Sequence, residues 1–183
     1  MKKIPYGQSD IIKILQKNYY YVDKTHFIPL IEESDEFLIF LRPRRFGKSL
    51  WLATLATYYD IKNKERLHEI FKDTWIANNF TPEAGEYFVL RFNFSAINPH
   101  PDKVQTSFND CCLQEVKSFV RRYSDFLPSF FVREVEQFSQ IDNALRYLLS
   151  PDFYALTNHK VYLFIDEYDN FTNTILSSYS HST

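Results

Sequence analysis

The string Arg42-Pro43-Arg44-Arg45-Phe46-Gly47-Lys48-Ser49 lies between an apolar run at 37–41 and a helical pattern carried by Leu52, Leu55, Ala56 and Tyr59. Strand, tight loop, Lys-Ser and helix is the order that builds a phosphate cradle. Backbone N–H groups of such a loop point inward at an anion, and the following helix adds the positive end of its dipole. In this arrangement Lys48 reaches β- and γ-phosphate oxygens, Ser49 offers its hydroxyl to Mg²⁺, and Gly47 removes a Cβ where backbone meets phosphate. A chain organised this way is expected to be α/β, with a mainly parallel sheet between helices.

The match to G-x-x-x-x-G-K-[ST] departs at its first glycine, which is Arg42 here. Pro43 offers another way to fix the turn, by presetting its own φ. The competing reading of the loop is an ordinary basic turn ahead of a helix.

At 183 residues the chain suits one domain with a sizeable core. It carries 18 Phe and 13 Tyr but only 3 Gly. A net charge of −2 gives no global field to draw nucleic acid, so any basic site is local. Arg42, Arg44, Arg45 and Lys48 are the dense cluster. They serve phosphates or pair with acids; nucleic-acid contact through the three arginines is the weaker alternative. Cys111 and Cys112 are adjacent, and Cys112 falls on an apolar helical face, so both read as reduced thiols. No signal-peptide pattern opens the sequence and no apolar run reaches membrane-spanning length. These features together place the chain in the cytoplasm, with no membrane partner.

In chain order, Ser9 or Asp10 caps a short helix with Ile11, Ile14 and Leu15 on its apolar face. Residues 18–23 are aromatic and extended. Thr25 is placed to cap the next helix, and Pro29 is tolerated only if that helix begins just before it. The strand at 37–41, the loop and a helix at 48–59 follow. Residues 62–71 read as helical. Residues 87–94 read as a strand with Phe88, Leu90, Phe92 and Phe94 on one face. Val104, Phe108, Cys112, Val116, Phe119, Val120 and Tyr123 recur at helical spacing through 102–124. Phe131, Val135 and Phe138 carry another helix. Ala144, Leu145, Leu148 and Leu149 carry a third, ended by Pro151. The unbroken apolar run at 161–165 suits a strand covered on both faces.

Asp166-Glu167 closes that run. A buried strand that delivers a carboxylate to its C-terminal edge is the Walker B arrangement. Asp166 would hold Mg²⁺, directly through Ser49's site or through water, and Glu167 would orient and deprotonate the attacking water. The competing reading is a strand ending in two acids and a solvated turn. The strings Asn18-Tyr-Tyr-Tyr-Val-Asp-Lys-Thr25, Arg42-Pro-Arg-Arg-Phe-Gly-Lys-Ser-Leu50 and Phe164-Ile-Asp-Glu-Tyr-Asp169 resemble the bacterial AAA-ATPase-like family of P-loop proteins, from about residue 5 to about residue 175. In that family the arginine at the first glycine position is usual. The resemblance implies binding of ATP with Mg²⁺ by the loop set Arg44, Arg45, Phe46, Gly47, Lys48, Ser49 and Leu50. It implies Ser49 and Asp166 at the metal, and Glu167 with Lys48 as the catalytic pair. Many members continue into a domain resembling PD-(D/E)XK nucleases.

The expected fold is therefore a P-loop NTPase-like three-layer sandwich, incomplete at its C-terminus because only three strands are evident. Residues 1–183 would form the N-terminal part of an AAA-ATPase-like domain. A lead-in at 1–35 comes first, then a Walker A region at 36–60, a helical insert at 100–150 and a Walker B region at 160–170. The expected function is a Mg-dependent ATPase. The alternatives are a nucleotide-gated interaction module with little turnover and a small-molecule kinase. A guanine-reading Asn-Lys-x-Asp is missing, since Asn63-Lys64-Glu65-Arg66 lacks the aspartate. An unfinished sheet edge would invite a downstream domain or self-association.

Overall fold

The computed structural model describes residues 2–34, 36–43 and 45–168. Arg44, Asp169 and the tail at 177–183 lie outside the described residues. The chain divides into two compact units, Met1–Tyr87 and Phe88–Thr183.

The first unit is helical. Helix α1, Ile11–Gln16, starts at Asp10, whose side chain accepts a hydrogen bond from the Lys13 N–H at 3.1 Å. A 3₁₀ turn, Thr25–Phe27, leads into α2, Ile28–Glu32, with Pro29 in its first turn as its fixed φ requires. Thr25 opens this turn without capping it; its hydroxyl accepts from the Ile76 N–H at 3.1 Å. Helix α3, Lys48–Tyr59, is the helix expected after the loop. It is covered more completely than an amphipathic pattern implies. Trp51, Ala53, Thr54, Leu55, Ala56, Tyr58 and Tyr59 are all buried and Leu52 and Thr57 are half-buried, so no residue of its last two turns is fully exposed. The stretch expected to be one helix at 62–71 is split into a 3₁₀ segment, Ile61–Arg66, and α4, Leu67–Phe71. Asp60 makes the break. Its backbone is extended and its carboxylate takes the Lys62 N–H at 2.9 Å. Helix α1 packs on α3 and α4 through Ile11 and Ile14, which are fully buried.

The run at 37–41 is not a strand. It pairs with no strand among the described residues, and Phe37, Ile39 and Leu41 are 91%, 77% and 72% exposed. Local β-propensity does not make a strand without a ladder partner.

The second unit is built on β1, Tyr87–Asn93, and β2, Lys160–Asp166, which form a two-stranded parallel sheet. Between them run α5, Pro101–Arg122; α6, Ser129–Gln137; α7, Ile141–Leu148; and α8, Pro151–Thr157. Helix α5 packs against α6 and α7. Pro151 does not merely end the preceding helix, because it also begins α8. Ser150 caps that helix through a hydrogen bond from the Phe153 N–H, and the proline sits where its missing N–H costs nothing. Strand β2 is covered on one face only: Phe164 and Asp166 are buried, while Leu163 and Ile165 are 40% and 41% exposed. The face carrying Val161, Leu163 and Ile165 is thus only partly covered, and β2 has a single neighbouring strand among the described residues.

Phe88 centres the core of this unit. Its ring meets those of Tyr123, Phe153, Phe126 and Phe119 at 4.9, 5.6, 6.0 and 6.2 Å, all close to edge-to-face. That geometry sets positive ring edges on negative faces. Cys112 is buried in α5 and Cys111 half-buried, and neither forms a disulfide. Burial pushes the Cys112 thiol up to about 12, as suits an inert core thiol. Among the described residues, no helix is long and apolar enough to cross a membrane.

Two outcomes follow from this packing. The Val89 N–H donates to the buried Tyr123 hydroxyl at 3.0 Å. Tyr123→Phe leaves that N–H without its acceptor and should cost about 1–3 kcal/mol in urea unfolding; an unchanged midpoint would show that the bond contributes nothing. In the first unit, burial raises the Glu32 carboxyl above its ordinary value of 4.5, against a hydrogen bond from the Thr81 hydroxyl and with Glu83 adding to the rise. The folded state then holds the Glu32 proton more tightly than the unfolded chain. Stability from this group is full at acid pH and is lost as pH climbs from the ordinary value through the raised one. Glu32→Gln keeps an acceptor for Thr81 and should flatten that decline. Thermal midpoints compared from pH 4 to 7.5 should show the variant gaining on the parent as pH rises; parallel curves would refute the assignment.

Candidate phosphate-binding site

Gly47 is the N-cap of α3, with φ 80° and ψ 24°. This left-handed conformation is natural only for glycine. A Cβ built there meets nothing within 4 Å, so the glycine is required by its backbone angles and not by crowding. Its carbonyl already accepts the first helical bond, from the Trp51 N–H at 2.9 Å. No side chain of the described residues caps α3, and its first turn holds no acid. The positive end of the helix dipole is thus met by no acid of its own first turn, an arrangement that an anion complements.

The loop ahead is exposed. The Phe46 N–H donates to the Pro43 carbonyl at 3.3 Å. Arg45 has φ 68°, an unusual angle for a residue with a side chain. Phe46 is 65% exposed, and its ring lies outside the core. Arg42, in the place of the first glycine, sets its guanidinium 5.5 Å from the centre of the Phe40 ring. Lys48, Ser49 and Leu50 form the first turn of α3 and are half-buried. The structure thus gathers Arg45, Phe46, Gly47, Lys48, Ser49 and Leu50 at one helix end.

The two acids lie in the second unit. Asp166 ends β2 with its side chain buried, and Glu167 follows with φ 59°. The Glu167 N–H donates to Asp166 Oδ1 at 3.0 Å. The turn therefore holds one carboxylate oxygen and leaves Oδ2 for other partners. Among the described residues, no three His, Cys, Asp or Glu side chains gather into a metal cage. Mg²⁺ needs no such cage, since it commonly takes one or two protein ligands and completes its shell with phosphate and water. Taken by itself, the Asp166 carboxylate at the end of β2 is a hard oxygen donor, and so, in the other unit, is the Ser49 hydroxyl. An uncapped helix end opened by glycine likewise suits phosphate.

One feature beside the loop has no counterpart in the sequence reading. A cavity of about 200 Å³ opens behind Gly47. Leu50, Trp51 and Thr54 of α3 form one wall, and Tyr20, Tyr21 and Val22 form the other, with Lys24 at the margin. The sequence shows residues 18–23 as aromatic and extended. Only folding brings them to the loop. Burial pushes the Tyr21 hydroxyl above its ordinary value. The Thr54 hydroxyl donates to the Leu50 carbonyl at 2.8 Å.

Comparison with known proteins bears on the whole chain. Residues 5–183 match a family model described as "Predicted AAA-ATPase". An "Uncharacterized protein in vnfD 5'region" of Azotobacter chroococcum mcd 1 is 50% identical over 60 residues, or 32% of this chain and 11% of that protein. The matched part is thus a small fraction of that relative's length. No solved structure matches. By the extent of the family match, covering residues 5–183, this chain is a member of the predicted AAA-ATPase family.

Proposed function

We propose that the chain binds ATP with Mg²⁺ and hydrolyses it as a P-loop ATPase. The observation that carries this reading is the uncapped start of α3 at a left-handed glycine, followed at once by Lys48 and Ser49. The family match supports a nucleotide as the ligand. On this reading, N–H groups of the loop and first turn receive phosphate oxygens. The Lys48 ammonium adds a charge-assisted contact to the β- and γ-phosphates, worth about 1.5–3 kcal/mol. Arg44 and Arg45 flank the same anion. The Ser49 hydroxyl and the Asp166 carboxylate would hold Mg²⁺, which when bound neutralises charge developing on the phosphates. Glu167 takes a proton from the attacking water. The same reading extends to the fold. A three-layer P-loop sandwich would place the lead-in at 1–35 ahead of the loop and insert the helices at 100–150 before the second acidic motif.

Lys48→Ala should weaken binding of a fluorescent ATP analogue roughly 10- to 100-fold; unchanged affinity would mean the loop is no phosphate site. Glu167→Gln keeps the shape but cannot accept the proton. It should leave that affinity within about twofold and lower steady-state turnover by roughly 10²–10⁴-fold. Equal turnover would remove Glu167 from the chemistry and favour a module that binds nucleotide without using it.

A further inference from the structure

We propose that the cavity behind Gly47 is the pocket for the nucleotide's base, which it holds by stacking and apolar contact. The inference rests on the phosphate reading of the loop and adds what lies beyond the phosphates. Gly47 belongs to both features: it opens α3 to an anion and lines the cavity. A ligand whose phosphates meet the start of α3 therefore has this cavity within reach.

Size and lining narrow the occupant. Pockets that enclose a whole small-molecule ligand run to about 300–1,000 Å³. At about 200 Å³, this cavity suits one flat ring system and leaves sugar and phosphates outside. Three of its walls are aromatic, Tyr20, Tyr21 and Trp51, and Val22 and Leu50 are aliphatic. The Thr54 hydroxyl is already engaged with the Leu50 carbonyl. A flat π-system fits the aromatic and aliphatic walls, whereas a sugar would set its ring of hydroxyls against apolar surface.

The walls are also held before any ligand arrives. The Tyr20 N–H donates to the Lys3 carbonyl at 2.8 Å, and the Tyr19 N–H to the Ile14 carbonyl at 3.0 Å. On the far side of the segment, Asp23 accepts from the Thr25 N–H at 2.9 Å and the Trp75 N–H at 2.6 Å. The opposite wall is α3, whose Trp51 and Thr54 are buried. Little ordering is left to oppose binding.

Tyr20 is the residue to test, because it is 58% exposed and its loss should not unfold the unit. Affinities of the full chain for Mg²⁺–ATP and for inorganic triphosphate are measured by calorimetry in the parent, Tyr20→Ala, Tyr20→Phe and Lys48→Ala. The parent should bind ATP more tightly than triphosphate. Tyr20→Ala should lose roughly 5- to 100-fold in ATP affinity, the range of one base–aromatic stack, and leave triphosphate unchanged. Tyr20→Phe should restore ATP binding. Lys48→Ala should weaken both ligands. The base pocket is overturned if Tyr20→Ala leaves ATP affinity intact, or weakens ATP and triphosphate equally, or if the parent binds both alike. In each of those cases, loss of triphosphate binding in Lys48→Ala still upholds the phosphate cradle. If the parent binds neither ligand, the cradle falls and the pocket falls with it.

Discussion

A helix whose last two turns hold no fully exposed residue fixes the first unit. The last two turns of α3 are enclosed by α1, α4 and the aromatic rings around Tyr58 and Tyr59, so the helix cannot rotate or slide without opening the core. Close packing of that kind yields in discrete steps only. The start of the helix is then determined from its far end. Gly47 must turn left-handed at the point where the buried register stops, and Lys48 and Ser49 must occupy the first turn. The described residues of the loop ahead are exposed, but Gly47, Lys48 and Ser49 inherit their positions from the core.

The second unit solves a different problem. With two strands among the described residues, its sheet is too narrow to make a core alone. Aromatic bulk compensates. Phe88 from β1 meets Phe153 of α8, and Tyr123 and Phe126 just past the end of α5, joining helices to sheet through ring edges. This explains a composition rich in Phe and poor in Gly: the unit spends its residues on long helices and large rings, with few tight turns.

Much of this was legible in the sequence where local chemistry decides. The bounds of α3, the cap at Asp10 and the apolar stripe of α5 all follow from near-neighbour rules. Helix α8 was legible too, in Ser150-Pro151-Asp152, a cap, an N1 proline and a first-turn acid, but the proline reads first as a breaker. Other features have no local signature. The residues at 37–41 carry strand propensity, yet a strand needs a partner that propensity cannot supply. The apolar run of β2 suggests two covered faces, and only the folded structure shows that one is partly covered. The cavity wall at Tyr20–Tyr21–Val22 is recognisable only once distant segments meet. The loop string stands out in the sequence because Gly47, Lys48 and Ser49 fall together at the start of a helical pattern.

Asp23 has a consequence for how the molecule opens. Its two carboxylate oxygens hold backbone N–H groups on either side of a long excursion, one at Thr25 and one at Trp75, 52 residues away. Contacts across such a separation form late, because the intervening chain must be ordered first. They are also exposed enough for water to compete for them. Local opening of this unit should therefore begin where Asp23 lets go, peeling the lead-in from α3 while the buried helix stays folded. The wall of the cavity is then the least protected part of an otherwise rigid unit. A molecule seated there would act as a clasp, slowing amide exchange along 18–25 far more than within α3.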